Sequence, residues 1–210
     1  MPAAPCSSSW RSNLDARDLH PDPLVQVQRW YEQARAEGIE LPEAMTLATV
    51  APDGRPSART VLLKGIDSRG FLFFTNYESR KGRELAQNPQ AALVLHWAQE
   101  PRRQVTAVGT VERLPAEESE AYFRTRPLGS RLGAWASRQS EVVAGRAALE
   151  AAFVEAEARF GDDPPRPPWW GGYVLVPDRV ELWQNRPNRL HDRFRYTRHE
   201  DLWRLDQLAP

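Results

Sequence analysis

Four stretches of this sequence bring polar and charged side chains together at spacings that suit anions and flat rings. The sharpest reads Glu181-Leu182-Trp183-Gln184, followed after four residues by Arg189-Leu190-His191-Asp192-Arg193. If those last five are extended, Arg189, His191 and Arg193 share one face while Leu190 and Asp192 take the other. Three cationic or titratable groups on one face repel one another unless an anion or an electron-rich ring offsets them. His191 can change charge near neutral pH and can hydrogen-bond a phenolic oxygen. The plainer alternative is a solvent-facing edge strand. The second stretch, Thr75-Asn76-Tyr77-Glu78-Ser79-Arg80-Lys81-Gly82, runs from the end of a strand into a helix. Cations in a first helical turn oppose the helix dipole. Arg80 and Lys81 there point to an anion such as phosphate, held with the free backbone N–H groups.

In the third stretch, Tyr122 and Arg126 are i, i+4 neighbours on one helical face, with Ser130 one turn further on. A phenol, a guanidinium and a hydroxyl placed so can hold a phosphate monoester; separately they are ordinary surface residues. The stretch continues through Gly133 to Gln139 and Ser140. The fourth is Arg59-Thr60-Val61-Leu62-Leu63-Lys64. Arg59 and Lys64 lie an odd number of residues apart, so a regular strand sends them to opposite faces and two different anions. An edge strand carrying protective charges is the alternative.

The elements that must position these groups follow from pattern. Asp22-Pro23 is a helix start, and Leu24, Val27, Trp30, Tyr31 and Ala34 recur at helical spacing up to Gly38. Strands are expected at 45–51, 57–64, 71–75, 91–97 and 104–114, joined by turns at Pro52-Asp53-Gly54-Arg55 and Asp67-Ser68-Arg69-Gly70. A short helix over 80–87 stops at Asn88-Pro89. Residues 115–160 read as two or three helices, the last with Leu149, Phe153, Ala156 and Phe160 on a buried face. Further strands are expected at 173–176, 179–184, 193–196 and 202–205. Strands on both sides of the helical insert imply one α+β domain, mainly β, over residues 21–210; residues 1–20 read as a mobile arm. Short antiparallel strands with tight turns suggest a barrel or a sandwich.

Composition excludes several classes. The chain has 210 residues with 28 basic and 28 acidic side chains, which argues against a protein held on nucleic acid or anionic lipid by bulk charge. A single Cys6 and four histidines make a metal site unexpected. Nucleotide-binding glycine loops, H-E-x-x-H and C-x-x-C are absent. No apolar run approaches a membrane span, and the first residues lack the features of a secretory signal, so a soluble cytoplasmic protein is expected.

Together the four stretches resemble the pyridoxine/pyridoxamine 5'-phosphate oxidase family, FMN enzymes of vitamin B6 metabolism. The resemblance runs from about Asp18 to Pro210. It rests on RTVLLK at 59–64, SRKG at 79–82, the segment from Tyr122 to Ser140, WGGY at 170–173 and WQ-x4-RLHDR at 183–193. It implies a split antiparallel β-barrel with flanking helices, dimerising as a homodimer with FMN in clefts between subunits. It implies Arg59, Arg80, Lys81 and Ser140 near the FMN phosphate and ribityl chain. Phe74, Thr75, Gln104, Gln139, Trp183 and Arg193 match other flavin contacts, together with the run Thr60, Val61, Leu62, Leu63 and Lys64. Lys64, Tyr122, Arg126 and Ser130 match the holders of the substrate phosphate, and Arg189 and His191 the pair bracketing the pyridine ring. The implied reaction oxidises C4' of pyridoxine or pyridoxamine 5'-phosphate to the aldehyde by hydride transfer to flavin N5, with O2 as acceptor giving H2O2. Two departures stand out. Leu182 replaces the family's usual Phe or Tyr, and residues 1–13 do not reproduce the Arg/Tyr segment that closes over the substrate in some members. Two rival readings remain: a split-barrel flavin oxidase of phenazine biosynthesis, and a flavin- or haem-binding barrel without turnover.

Overall fold

The structure, a computed structural model, describes residues 14–210. The first helix, α1 (Pro23–Ala36), starts where Asp22 accepts a hydrogen bond from the Leu24 N–H at 2.8 Å, with Pro23 fitting the first turn. Its Leu24, Val27, Trp30 and Ala34 are buried. The expected mobile arm at 1–20 meets a packed body sooner: the Leu14 N–H donates to Asp192, Leu19 is buried, and the Tyr196 hydroxyl donates to the His20 carbonyl. The remainder of that arm, residues 1–13, lies outside the described residues.

Among the described residues, nine strands form one antiparallel sheet: β1 (Ala44–Val50), β2 (Pro56–Leu62), β3 (Gly65–Ile66), β4 (Phe71–Asn76), β5 (Gln90–Trp97), β6 (Arg103–Arg113), β7 (Trp170–Gln184), β8 (Asp192–His199) and β9 (Leu202–Gln207). The order is β2-β1-β5-β6-β7-β4-β3, with β8 and β9 added beside β7. The sheet curls into a split barrel. Alternation along β5 and β6 turns Leu93, Leu95, Val105 and Ala107 inward to meet Leu47, Phe71, Phe73, Leu175 and Leu182 in one buried cluster. Helix α2 (Arg80–Gln87) follows β4, and α3 (Ala116–Thr125), α4 (Leu128–Ala136) and α5 (Arg146–Phe160) fill the insert.

Three expectations change. The two strands expected at 173–176 and 179–184 are one strand, β7, running through Pro177. The ladder to β6 shifts register between Val108 and Gly109, and Gly109 faces Pro177. A Cβ on Gly109 would lie 2.0 Å from the Val176 carbonyl oxygen, so the missing side chain admits the close approach. Beyond this bulge β7 exchanges β4 for β8 as its second partner. The helix expected to carry Tyr122, Arg126 and Ser130 together is broken: Arg126 ends α3, and Pro127 caps α4. On α5 Ala156 is buried, but Leu149, Phe153 and Phe160 are half-buried.

Candidate active site

A cavity of about 650 Å³ opens where β2, β4, the start of β7 and the α3–α4 corner converge, a volume typical of small-molecule sites. Strand β2 and the turn after it contribute Thr60, Val61, Leu62 and Lys64; β4 contributes Phe74 and Thr75. Lys81 enters from α2, Tyr122 and Arg126 from the end of α3, Ser130 from α4, and Gln139 from the loop beyond it. The break at Pro127 therefore keeps the phenol, guanidinium and hydroxyl on one wall despite ending the helix. Leu63 is buried behind that wall, its N–H bonded to the Glu43 carbonyl.

Two kinds of cation stand in or beside this region: Lys81 and Arg126 line the cavity, whereas Arg59 and Arg80 do not. Arg59 and Arg80 are neutralised within the chain. Both reach Glu84, at 3.3 and 2.9 Å, and Thr49 and Ser57 also donate to that carboxylate. Burial alone would raise the Glu84 pKa, but these hydrogen bonds and the Arg59 charge reverse the effect and hold it at about 2. Arg59 thus faces Glu84 while Lys64 faces the cavity, the separation expected from their spacing, although β2 ends at Leu62.

Lys81 and Arg126 are different. The Lys81 ammonium is buried and donates to neutral oxygens, Gln139 Oε1 at 2.8 Å and Thr75 Oγ1 at 3.2 Å. Burial, reinforced by the Arg59 charge, pulls its pKa down to about 8. Arg126 has no carboxylate partner among the described residues, and its Nη1 is buried without a hydrogen bond. Burial lowers its pKa as well. Ser140, which follows Gln139 but does not itself line the cavity, accepts from the Arg80 N–H at 3.2 Å and holds a left-handed backbone (φ 75°) that is costly for a residue with a side chain.

The remaining expected site residues lie elsewhere. Gln104 and Trp183 are paired across β6 and β7, and Trp183 pairs with Arg193 on β8. Arg193 forms an ion pair with Glu181 at 2.8 Å and donates to the Ala209 carbonyl. Arg189 and His191 are not extended. Pro187–Arg189 is a short 3-10 turn in which Asn188 and Arg189 have φ of 57° and 62°, so the single-face arrangement of Arg189, His191 and Arg193 does not form. Arg189 is exposed. The His191 ring lies 4.7 Å from that of Trp183, and its Nδ1 accepts from the Arg186 N–H at 3.1 Å, which leaves Nε2 as the donor. None of these five lines the cavity.

The structure adds groups the sequence reading did not assign. Asn76, Thr125 and Ser137 line the cavity, and Glu84 fixes two arginines. Glu84 was readable as the i+4 partner of Arg80. Trp170 forms part of the wall; its WGGY setting was visible but carried no role.

Comparison with known proteins gives a consistent picture. A family model described as pyridoxamine 5'-phosphate oxidase matches residues 31–160, and one described as the pyridoxine 5'-phosphate oxidase C-terminal dimerisation region matches residues 170–210. Proteins named pyridoxine/pyridoxamine 5'-phosphate oxidase from Burkholderia lata and Burkholderia thailandensis are 57% and 58% identical over 203 residues, covering 95% of this chain and 94% of theirs. Among solved structures, PhzG from Burkholderia lata in complex with tetrahydrophenazine-1-carboxylic acid superposes with a TM-score of 0.88 at 35% identity, covering 92% of this chain and 95% of that one. A pyridoxamine 5'-phosphate oxidase-related, FMN-binding protein from Nostoc punctiforme shares the fold, with a TM-score of 0.71 at 20% identity over 90% of this chain and 98% of that one.

Proposed function

This chain belongs to the pyridoxamine 5'-phosphate oxidase family, and we propose that it oxidises pyridoxine 5'-phosphate or pyridoxamine 5'-phosphate to pyridoxal 5'-phosphate, with dioxygen as electron acceptor. The observation that carries this reading is Arg126, a guanidinium whose buried Nη1 has no hydrogen bond, beside Lys64, Tyr122 and Ser130 on one cavity wall. A buried cation without a counter-charge is costly, and a phosphate monoester would supply the charge and the acceptors.

The cofactor is FMN, and the chain's own groups fit it. Lys81 is a buried cation bonded only to neutral oxygens, in the first turn of α2 where the helix dipole also favours an anion. Arg80, Arg59 and Ser140 border the same place, while Thr75 and Gln139 offer polar contacts. FMN held there would supply the two-electron acceptor for oxidation of the substrate carbon and the route for those electrons to dioxygen.

The protein's share is positioning. Holding the substrate phosphate with Lys64, Tyr122, Arg126 and Ser130 fixes C4' at the reacting distance, a proximity effect. Arg189 and His191 complete the site from a second copy of the chain, in the segment that matches a dimerisation region. Arg189 lies over the pyridine ring and favours its ionised hydroxyl, to which His191 donates through Nε2–H. Neither is assigned as the general base.

The close superposition on PhzG favours a second reading, oxidation of a reduced phenazine carboxylic acid. Such a substrate carries a carboxylate in place of a phosphate monoester, with one charge and two acceptor oxygens for a wall of four donor groups, Lys64, Tyr122, Arg126 and Ser130. An anaerobic spectrum separates the two. Under the first reading, pyridoxine 5'-phosphate bleaches the flavin band, and air then releases hydrogen peroxide. Bleaching by a reduced phenazine carboxylic acid, with none by either B6 phosphate, would overturn it.

A further inference from the structure

Trp170, the first residue of β7, is buried yet forms part of the cavity wall. The Arg126 guanidinium carbon lies 4.5 Å from the centre of its indole, within the range of a cation–π contact, for which tryptophan offers the best face. The same indole lies nearly parallel to the Tyr122 ring, with an interplanar angle of 8° and centroids 6.2 Å apart. It stacks on Phe74 at 5.6 Å and takes the edge of Phe123 at 5.0 Å. Of the four groups on the proposed phosphate wall, Arg126 thus rests on the indole, while the Tyr122 ring stacks on Phe74 at 4.0 Å.

The indole is itself fixed. The next two positions are glycines, and neither has room for a side chain: a Cβ on Gly171 would lie 2.1 Å from the Tyr77 hydroxyl, and one on Gly172 2.5 Å from Leu114 Cδ1. The Gly172 N–H donates to Ser119 Oγ at 3.0 Å, and the Leu114 N–H donates to the Gly172 carbonyl at 3.0 Å. The Trp170 N–H donates to the Pro167 carbonyl and its own carbonyl accepts from Arg166. The start of β7 is thus clamped to β4, α3 and the Pro-rich loop before it.

We propose that Trp170 is a positioning residue for phosphate recognition, holding the Arg126 guanidinium by its indole face so that the cation stays in the cavity wall with no carboxylate to cancel its charge. A carboxylate in that place would hold the arginine equally well but would cancel the charge the anion needs. The π face orients the cation without consuming its donors. This inference rests on the substrate reading above, and its test uses binding as well as turnover.

The FMN-loaded protein is titrated with pyridoxal 5'-phosphate, with inorganic phosphate as a second probe. Trp170→Leu weakens both by about tenfold, equivalent to about 1.4 kcal/mol, while the flavin content of the purified protein is unchanged. Trp170→Phe, which keeps an aromatic face of lower π density, loses about threefold and covers the case in which the leucine variant does not fold. In an Arg126→Ala background, either substitution costs less than twofold, because the group it positions is gone. Unchanged affinity in the variants, or an equal loss with and without Arg126, would overturn the proposal. Failure of the substrate reading looks different: the unsubstituted protein then fails to oxidise either B6 phosphate, while the phosphate-affinity ratios among the variants still judge Trp170.

Discussion

The two ends of β7 present two tryptophans in contrasting settings. Trp170, at the start, is packed into the cavity wall beside a guanidinium lacking a hydrogen bond. Thirteen residues on, about 40 Å along the strand, Trp183 stands beside His191, next to an exposed Arg189. The first setting gathers Lys64, Tyr122, Arg126 and Ser130 on one cavity wall. The second is a set of ring-binding groups with no cavity beneath them. On the function proposed above, these are two parts of one site that come together only between two copies of the chain. The match of residues 170–210 to a dimerisation region agrees with that division.

The largest effect is expected at the exposed end. Arg189→Ala should cut turnover by about a hundredfold or more, the usual loss when a charge aimed at a reacting centre is removed, while FMN stays bound; steady-state kinetics with a flavin absorbance ratio checks both. Loss of the flavin instead would put Arg189 in the cofactor site. At the cavity end, Arg126→Ala should raise the substrate KM by about ten- to a hundredfold, the value of a charge-assisted hydrogen bond, again with flavin retained. If it stripped the flavin and left KM alone, the two phosphate sites would have been interchanged.

A smaller effect comes from Lys81. An unfolded chain protonates this amine up to the ordinary 10.5, whereas the folded protein does so only to about 8. Between those values the unfolded state binds more protons, so the flavin-free protein gains stability from this group as pH rises. A bound phosphate acts in the opposite direction by favouring the ammonium. FMN affinity should be full below pH 8 and weaken above it by up to about tenfold per pH unit, readable by flavin fluorescence. A flat profile from pH 7 to 10 would mean that Lys81 does not meet the phosphate.

Much of this was legible in the sequence because local signals agreed. Ser79 before Arg80 and Asn88-Pro89 after Gln87 bounded α2 correctly, and the strands alternated cleanly. Pro177 misled, because a proline inside a strand is normally a break; it is tolerated here by a bulge that depends on Gly109, distant in sequence. Pro187 carries the opposite signal: Asn185-Arg186-Pro187-Asn188 is turn chemistry, and it keeps Arg189 and His191 out of the strand. The family resemblance gave roles to Lys64, Phe74, Thr75, Lys81, Tyr122, Arg126, Ser130 and Gln139, which line the cavity, but not to Asn76, Thr125, Ser137 or Trp170, which also do. Which residues share a wall was not legible, since that depends on how β4, α3 and β7 close on one another. Trp170 shows the difference: its type is plain in the sequence, but its contact with Arg126 exists only in three dimensions.

The division of the site between copies is tested most directly by mixing. Arg126→Ala and Arg189→Ala chains, each nearly inactive, are unfolded together, refolded with FMN and assayed with pyridoxine 5'-phosphate. In a two-fold dimer with random pairing, half of the molecules are mixed, and each of these has one intact site. Activity should therefore return to about a quarter of that of the unsubstituted protein. Activity no higher than that of the separate variants would show that Arg126 and Arg189 serve the same site from the same chain.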